Sequence, residues 1–148
     1  MLTHVHRKGI VHRDIKAGNV MRRDADGVYF VIDFGACTTS ADDGTSRVIG
    51  TPGYMAPEAA HGKNCCESDL FSLGVLGLYM LKGTEPYMLM DKGSPAEPFR
   101  GVLDALAAGE QIGDLCFELL HALLRPEPNS RRMALDAIAD IAAPAPAR

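Results

Sequence analysis

The chain has 148 residues, 47% of them hydrophobic, and a formal charge of −4. That length suits one buried core rather than two domains, the acidic balance argues against a general nucleic-acid binder, and no apolar run approaches the ~20 residues of a membrane span. Met1-Leu2-Thr3-His4 opens no signal-peptide core, and four cysteines without Cys-x-x-Cys spacing predict reduced thiols in a cytoplasmic or nuclear compartment.

In chain order, Met1 to Lys8 has little room to form an element of its own. Between Met1 and Arg23 six Lys/Arg accompany a single acid, Asp14, but no aromatic residue on which a base could stack. An RNA-binding fragment would rest on that stretch alone, and no nucleic-acid partner is expected. Gly9-Ile10-Val11 reads as a short buried strand leading into His12-Arg13-Asp14-Ile15-Lys16-Ala17-Gly18-Asn19. Val20 to Arg23 and Tyr29 to Ile32 flank an Asp26-Gly27 turn signal and predict a β-hairpin. With equal antiparallel arms, Asn19 and Asp33 finish side by side at its open end, about 5 Å apart. An amide oxygen and a carboxylate at that spacing can share a hard cation such as Mg²⁺, and Asp14 on the adjoining loop can accept a proton from a hydroxyl beside it.

Thr38 to Ser46 is polar and loop-like. Ser68 to Lys82 predicts a helix that is apolar nearly all round, as in the centre of a bundle, with Ser68 as N-cap, Asp69 in the first turn and Gly83 as its stop. Gly83 to Tyr87 reads as a turn and Met88 to Pro98 as a loop. Residues 99–108, 115–124 and 133–142 show helical spacing, and the Ala-Pro tail 143–148 is expected to be disordered. The predicted fold is mainly α with a small β-hairpin.

His12-Arg13-Asp14, Asn19 five residues on, Asp33-Phe34-Gly35 and Ala56-Pro57-Glu58 stand in an order that resembles a protein kinase, from about Gly9 to Ala139. The resemblance implies a Ser/Thr kinase that transfers the γ-phosphate of ATP to protein substrates, with Mg²⁺ as cofactor. In it Asp14 is the base, Lys16 meets the γ-phosphate, Asn19 and Asp33 hold the metal, and Met21 and Ile32 line the adenine site. Met1 to Lys8 would be the last turn of a long helix that enters the catalytic loop, Arg13 would receive a regulatory phosphate, and His12 would pack beneath Phe34. Arg47 stands where related kinases often carry the phospho-acceptor, so Thr45 or Ser46 would serve instead. Thr51 would hydrogen-bond Asp14 and Lys16, Glu58 would pair with Arg131, and Asp69 would anchor the His12-Arg13-Asp14 loop through its backbone.

No Gly-rich loop, strand lysine or helix glutamate of the family's small lobe occurs in the sequence. Residues 1–142 therefore resemble the large, C-terminal lobe alone, with the N-lobe absent. Its completion would need an N-lobe-supplying or regulatory partner, and activity of the chain alone is not expected. The competing reading is a non-catalytic, kinase-like docking or scaffold module.

Overall fold

The computed structural model describes residues 2–39, 47–109 and 112–142, the last six of these by backbone only. Thr45, Ser46 and the tail 143–148 lie outside the described residues.

Helix α1 (Leu2–Arg7) stands where the resemblance implies the last turn of a helix entering the loop. The chain turns at Gly9, whose φ of 70° is left-handed, into β1 (Ile10–Val11). This strand pairs antiparallel with β4 (Thr38–Thr39), Ile10 opposite Thr39 and Val11 opposite Thr38. The expected polar loop thus begins with two paired residues, because β1 supplies a partner that local composition cannot reveal. Strands β2 (Val20–Arg22) and β3 (Tyr29–Val31) make the predicted hairpin.

Helix α2 (Cys66–Lys82) is the longest, and Phe71, Val75 and Leu78 on it are fully buried. It starts earlier than predicted. Cys65 is the N-cap, and the Ser68 hydroxyl accepts from the Cys65 N–H at 3.2 Å, the reciprocal half of a capping box. Gly83 ends it in the left-handed conformation (φ 59°), its N–H donating to the Tyr79 carbonyl. The all-round apolar pattern overstated its burial, since Met80 is 66% exposed and Leu73 and Leu81 are also open to solvent.

Two further elements depart from the reading above. A one-turn helix α3 (Pro86–Leu89) occupies the expected turn and loop, with Pro86 pre-set for a first helical position. Helices α4 (Arg100–Gly109) and α5 (Asp114–Leu123) lie where predicted. Helix α6 (Pro128–Ala142) begins at Pro128 rather than Met133, which places Arg131 in its first turn. Two small residues let α5 approach α2: a Cβ on Gly74 would lie 2.8 Å from the Leu123 Cβ, and one on Gly77 2.8 Å from a Leu120 methyl. The core behind the catalytic-loop motif gathers Tyr54, Ala56, Phe71, Leu78, Phe99 and Leu124.

Candidate active site

The loop after β1 is held from below by α2. Asp69 is 1% exposed, and its Oδ2 accepts from the His12 N–H and its Oδ1 from the Arg13 N–H, both at 2.8 Å. A carboxylate taken out of water needs such donors. It fixes a strained backbone, for Arg13 has φ 69°, a left-handed conformation costing a non-glycine residue about 1–2 kcal/mol. Behind the loop His12 is buried, its Nε2 is 3.1 Å from the Ile32 carbonyl, and its ring meets the edge of Phe34 at 4.9 Å.

Asp14 follows directly, and side chains from both flanks converge on it. The Thr51 hydroxyl donates to Asp14 Oδ1 at 2.6 Å, while Lys16 Nζ lies 2.8 Å from Oδ2 and donates to Thr51 Oγ1 at 2.9 Å. Asn19 Nδ2 donates to the Asp14 carbonyl at 2.8 Å and to Oδ2 at 3.0 Å. Partial burial pushes the Asp14 carboxyl up, but hydrogen bonds from Lys16 and Thr51, the Lys16 charge and the Asn19 bond outweigh it, so the group sits below the usual carboxylate range. It is ionised at neutral pH and able to accept a proton. Thr51 is brought here by Gly50, whose φ is 135° and where a Cβ would lie 2.8 Å from the Arg13 carbonyl. Only glycine fits that approach.

The hairpin register corrects one expectation. Val20 pairs with Val31, and the Ile32 N–H donates to the Asn19 carbonyl at 2.9 Å, so Ile32 rather than Asp33 stands across from Asn19. Asp33 comes one residue later, in a left-handed conformation (φ 62°) that starts a tight turn, with Oδ1 accepting from the Gly35 N–H at 3.1 Å. Asn19 is buried and Asp33 exposed. Met21 is 51% exposed on β2, so it is not a core residue, and Ile32 is half-buried.

The donor set suits one kind of cation. Among the described residues no three His, Cys, Asp or Glu cluster as a metal cage. With Nδ2 of Asn19 committed to Asp14, its other polar atom, Oδ1, is the one with lone pairs to offer, and Asp33 adds a carboxylate. A magnesium ion that keeps waters and takes phosphate oxygens needs no more than such a pair from protein.

Arg13 does not project freely. Its Nε donates to the Ala36 carbonyl at 2.5 Å and Nη2 to the Cys37 carbonyl at 3.2 Å, which ties the catalytic loop to the segment after Asp33-Phe34-Gly35. Farther out, Glu58 and Arg131, 73 residues apart, form a two-pronged pair at 2.7 and 2.8 Å. Arg131 is fully buried, and all five of its N–H groups are used, the other three on the carbonyls of Arg125, Glu67 and Pro126. Burial pushes the Glu58 carboxyl up, but the Arg131 hydrogen bonds and charge prevail and hold it low. Ser68 adds a hydroxyl to Glu58 Oε1 at 2.8 Å. These carbonyl acceptors, Ser68, and a contact of His6 with Asp69 carry no sequence signal; only tertiary placement reveals them.

Residues 1–140 match the protein kinase domain family. The chain belongs to that family. It is similar to serine/threonine-protein kinase PknA of Nostoc sp., 44% identical over 97 residues that cover 60% of this chain and 17% of that protein. Serine/threonine-protein kinase D of Synechocystis sp. is 32% identical over 145 residues, covering 93% and 28%. Serine/threonine-protein kinase pakA of Talaromyces marneffei is 32% identical over 145 residues, covering 91% and 22%. The kinase-domain chain thus spans less than a third of the length of these relatives. No helix among its described residues is long and apolar enough to cross a membrane.

Proposed function

We propose that residues 1–142 form the large lobe of a Ser/Thr protein kinase, which transfers the ATP γ-phosphate to protein hydroxyls once a small lobe closes over the nucleotide. The observation that carries this reading is the triangle of Asp14, Lys16 and Thr51, in which one hydroxyl joins base and cation. When bound, Mg·ATP supplies the phosphoryl group and the charge neutralisation that lets it transfer.

The chain's residues do the rest. Asn19 and Asp33 would hold the cation, and Asp14 takes the proton of the substrate hydroxyl while the Thr51 hydroxyl fixes its carboxylate. Lys16, a compact ammonium beside the base, balances charge developing on the transferred group. Met21 and Ile32 offer an apolar face to adenine. Arg13 receives a phosphate on Thr45 or Ser46 through the N–H groups that Ala36 and Cys37 leave over. All four cysteines are free, which supports a reducing compartment.

A scaffold that had given up catalysis would have no use for all of Asp14, Lys16, Asn19 and Asp33. The decisive experiment grafts residues 9–142 onto the small lobe of the Nostoc relative and follows radiolabelled phosphate into a generic Ser/Thr substrate. Transfer that disappears in Asp14→Asn is expected. A folded chimera that binds Mg·ATP but transfers nothing would refute catalysis in favour of docking.

A further inference from the structure

The turn that begins at Thr51 packs on α3. The Tyr54 N–H donates to the Thr51 carbonyl at 3.1 Å, which closes Thr51-Pro52-Gly53-Tyr54. A Cβ on Gly53, whose φ of 89° is left-handed, would lie 3.2 Å from the Tyr87 nitrogen and 3.6 Å from the Pro86 Cβ. Two residues before Gly53, the Thr51 hydroxyl reaches Asp14, so this turn joins the candidate base to the first turn of α3. Glu85 stands at the head of α3, directly before the buried Pro86. It is exposed, its side chain caps no helical N–H, and no cation pairs with it among the described residues. Its charge is felt at the turn: the Tyr54 phenol is pushed up by burial and, against its hydrogen bond to the Ala17 backbone, by the Glu85 carboxylate and by Tyr79.

The uncommitted groups here match one kind of partner. Lys16 holds Asp14, Arg131 holds Glu58, and Asp33 is assigned to the metal, which leaves Glu85 as a carboxylate beside this turn with no charge to neutralise. Tyr87, two residues on, is 58% exposed, so an aromatic ring is offered to solvent as well. A carboxylate and an aromatic ring suit a Lys or Arg, one by charge and the other by cation–π contact. With its hydroxyl at Asp14, an extended peptide advances about 3.3 Å per residue, so residues two to four places away lie about 7–13 Å along it. That is the scale of the path through Thr51 and Gly53 to α3. We propose that Glu85 and Tyr87 form a specificity site that selects protein substrates carrying a Lys or Arg two to four residues from the target hydroxyl. This rests on the reading of Asp14 as the base of a protein kinase.

Peptide binding to the 148-residue chain tests it without any catalytic readout. Three peptides share a central Ser and differ two to four residues on either side of it, where they hold Lys, Leu or Glu. Followed by amide NMR shifts, the Lys peptide should bind about three- to fivefold tighter than the Leu peptide, the size of an exposed charge contact, and should move the Gly53 and Tyr87 signals. Glu85→Gln should abolish that preference, Tyr87→Leu should weaken it, and Glu85→Lys should reverse it in favour of the Glu peptide. A Lys peptide that binds no tighter than the Leu peptide overturns the proposal. So does a preference that survives Glu85→Gln or Tyr87→Leu unchanged, or one whose shifts are confined to the acids of α4. The two readings fail separately. A Glu85-dependent preference in a chain whose chimera transfers no phosphate counts against the kinase mechanism and supports the site, whereas transfer that ignores basic residues overturns the site and leaves the mechanism standing.

Discussion

At the scale of single residues, the site depends on carboxylates whose hydrogen-bond partners keep them ionised. Asp14→Asn keeps the shape of the side chain and removes the proton acceptor, so in the completed kinase domain kcat should fall by at least about 100-fold, the usual contribution of a general base. Phosphate incorporation at saturating substrate is the measurement, and a loss within a few-fold would show that Asp14 is not the base. Glu58→Gln leaves the Arg131 guanidinium buried without its counter-charge. Breaking a buried pair on one side costs about 3–5 kcal/mol, to be read from the urea unfolding midpoint. A loss under about 1 kcal/mol, the range of surface pairs, would mean that the three carbonyl acceptors around Arg131 can hold this junction unaided. The candidate residues themselves were legible from motif spacing, because the chemistry needs those side chains close together in sequence. The contact of His6 with Asp69 was not.

At the scale of elements, close approach decides more than propensity. Gly50→Ala would put a methyl 2.8 Å from the Arg13 carbonyl at a φ of 135°. The loop must retreat, taking Thr51 from Asp14, so the substitution should lower activity of the completed domain more than it lowers stability. Equal losses in both would argue for general disruption. Gly74→Ala instead overpacks the α2–α5 contact, where Leu123 and Leu124 stand within 3.0 Å of the new Cβ. It should cost about 1–3 kcal/mol in thermal or urea unfolding. Helix interiors followed from apolar periodicity, but their starts did not. Ser68 resembles an N-cap yet serves as the third residue of a capping box headed by Cys65, and α6 begins at Pro128 because proline suits a first turn.

For the whole molecule, acid should unfold the protein through Glu58 and Asp14. Both carboxyls lie below their ordinary values in the folded state, so at acid pH the unfolded chain binds more protons. Their contribution is complete above about pH 5 and is lost as pH falls through the folded-state values. Urea midpoints at pH 7, 5, 4 and 3 should decline along that limb, and Glu58→Gln should flatten part of it; a midpoint that rises towards pH 4 would contradict these assignments. The chain by itself should bind Mg·ATP no tighter than about 1 mM, near −4 kcal/mol, because Met21 and Ile32 offer one face to adenine and the exposed site leaves each charge contact screened by water. Calorimetric titration showing micromolar affinity would mean that the site is closed in another way.

The sequence by itself determined the family, the catalytic-loop and metal-site candidates, the hairpin and the interior of the main apolar helix, since spacing and periodicity are properties of neighbours along the chain. Only the tertiary structure decided that β1 pairs with β4, that Ile32 rather than Asp33 faces Asn19, that Arg131 uses all five donors and that His6 meets Asp69. The hairpin offset came from a one-residue difference in register. The other contacts join groups far apart in sequence, and a pattern of polar and apolar residues states that a buried charge needs a partner without stating which distant group the packing of α1, α2 and α6 will bring to it.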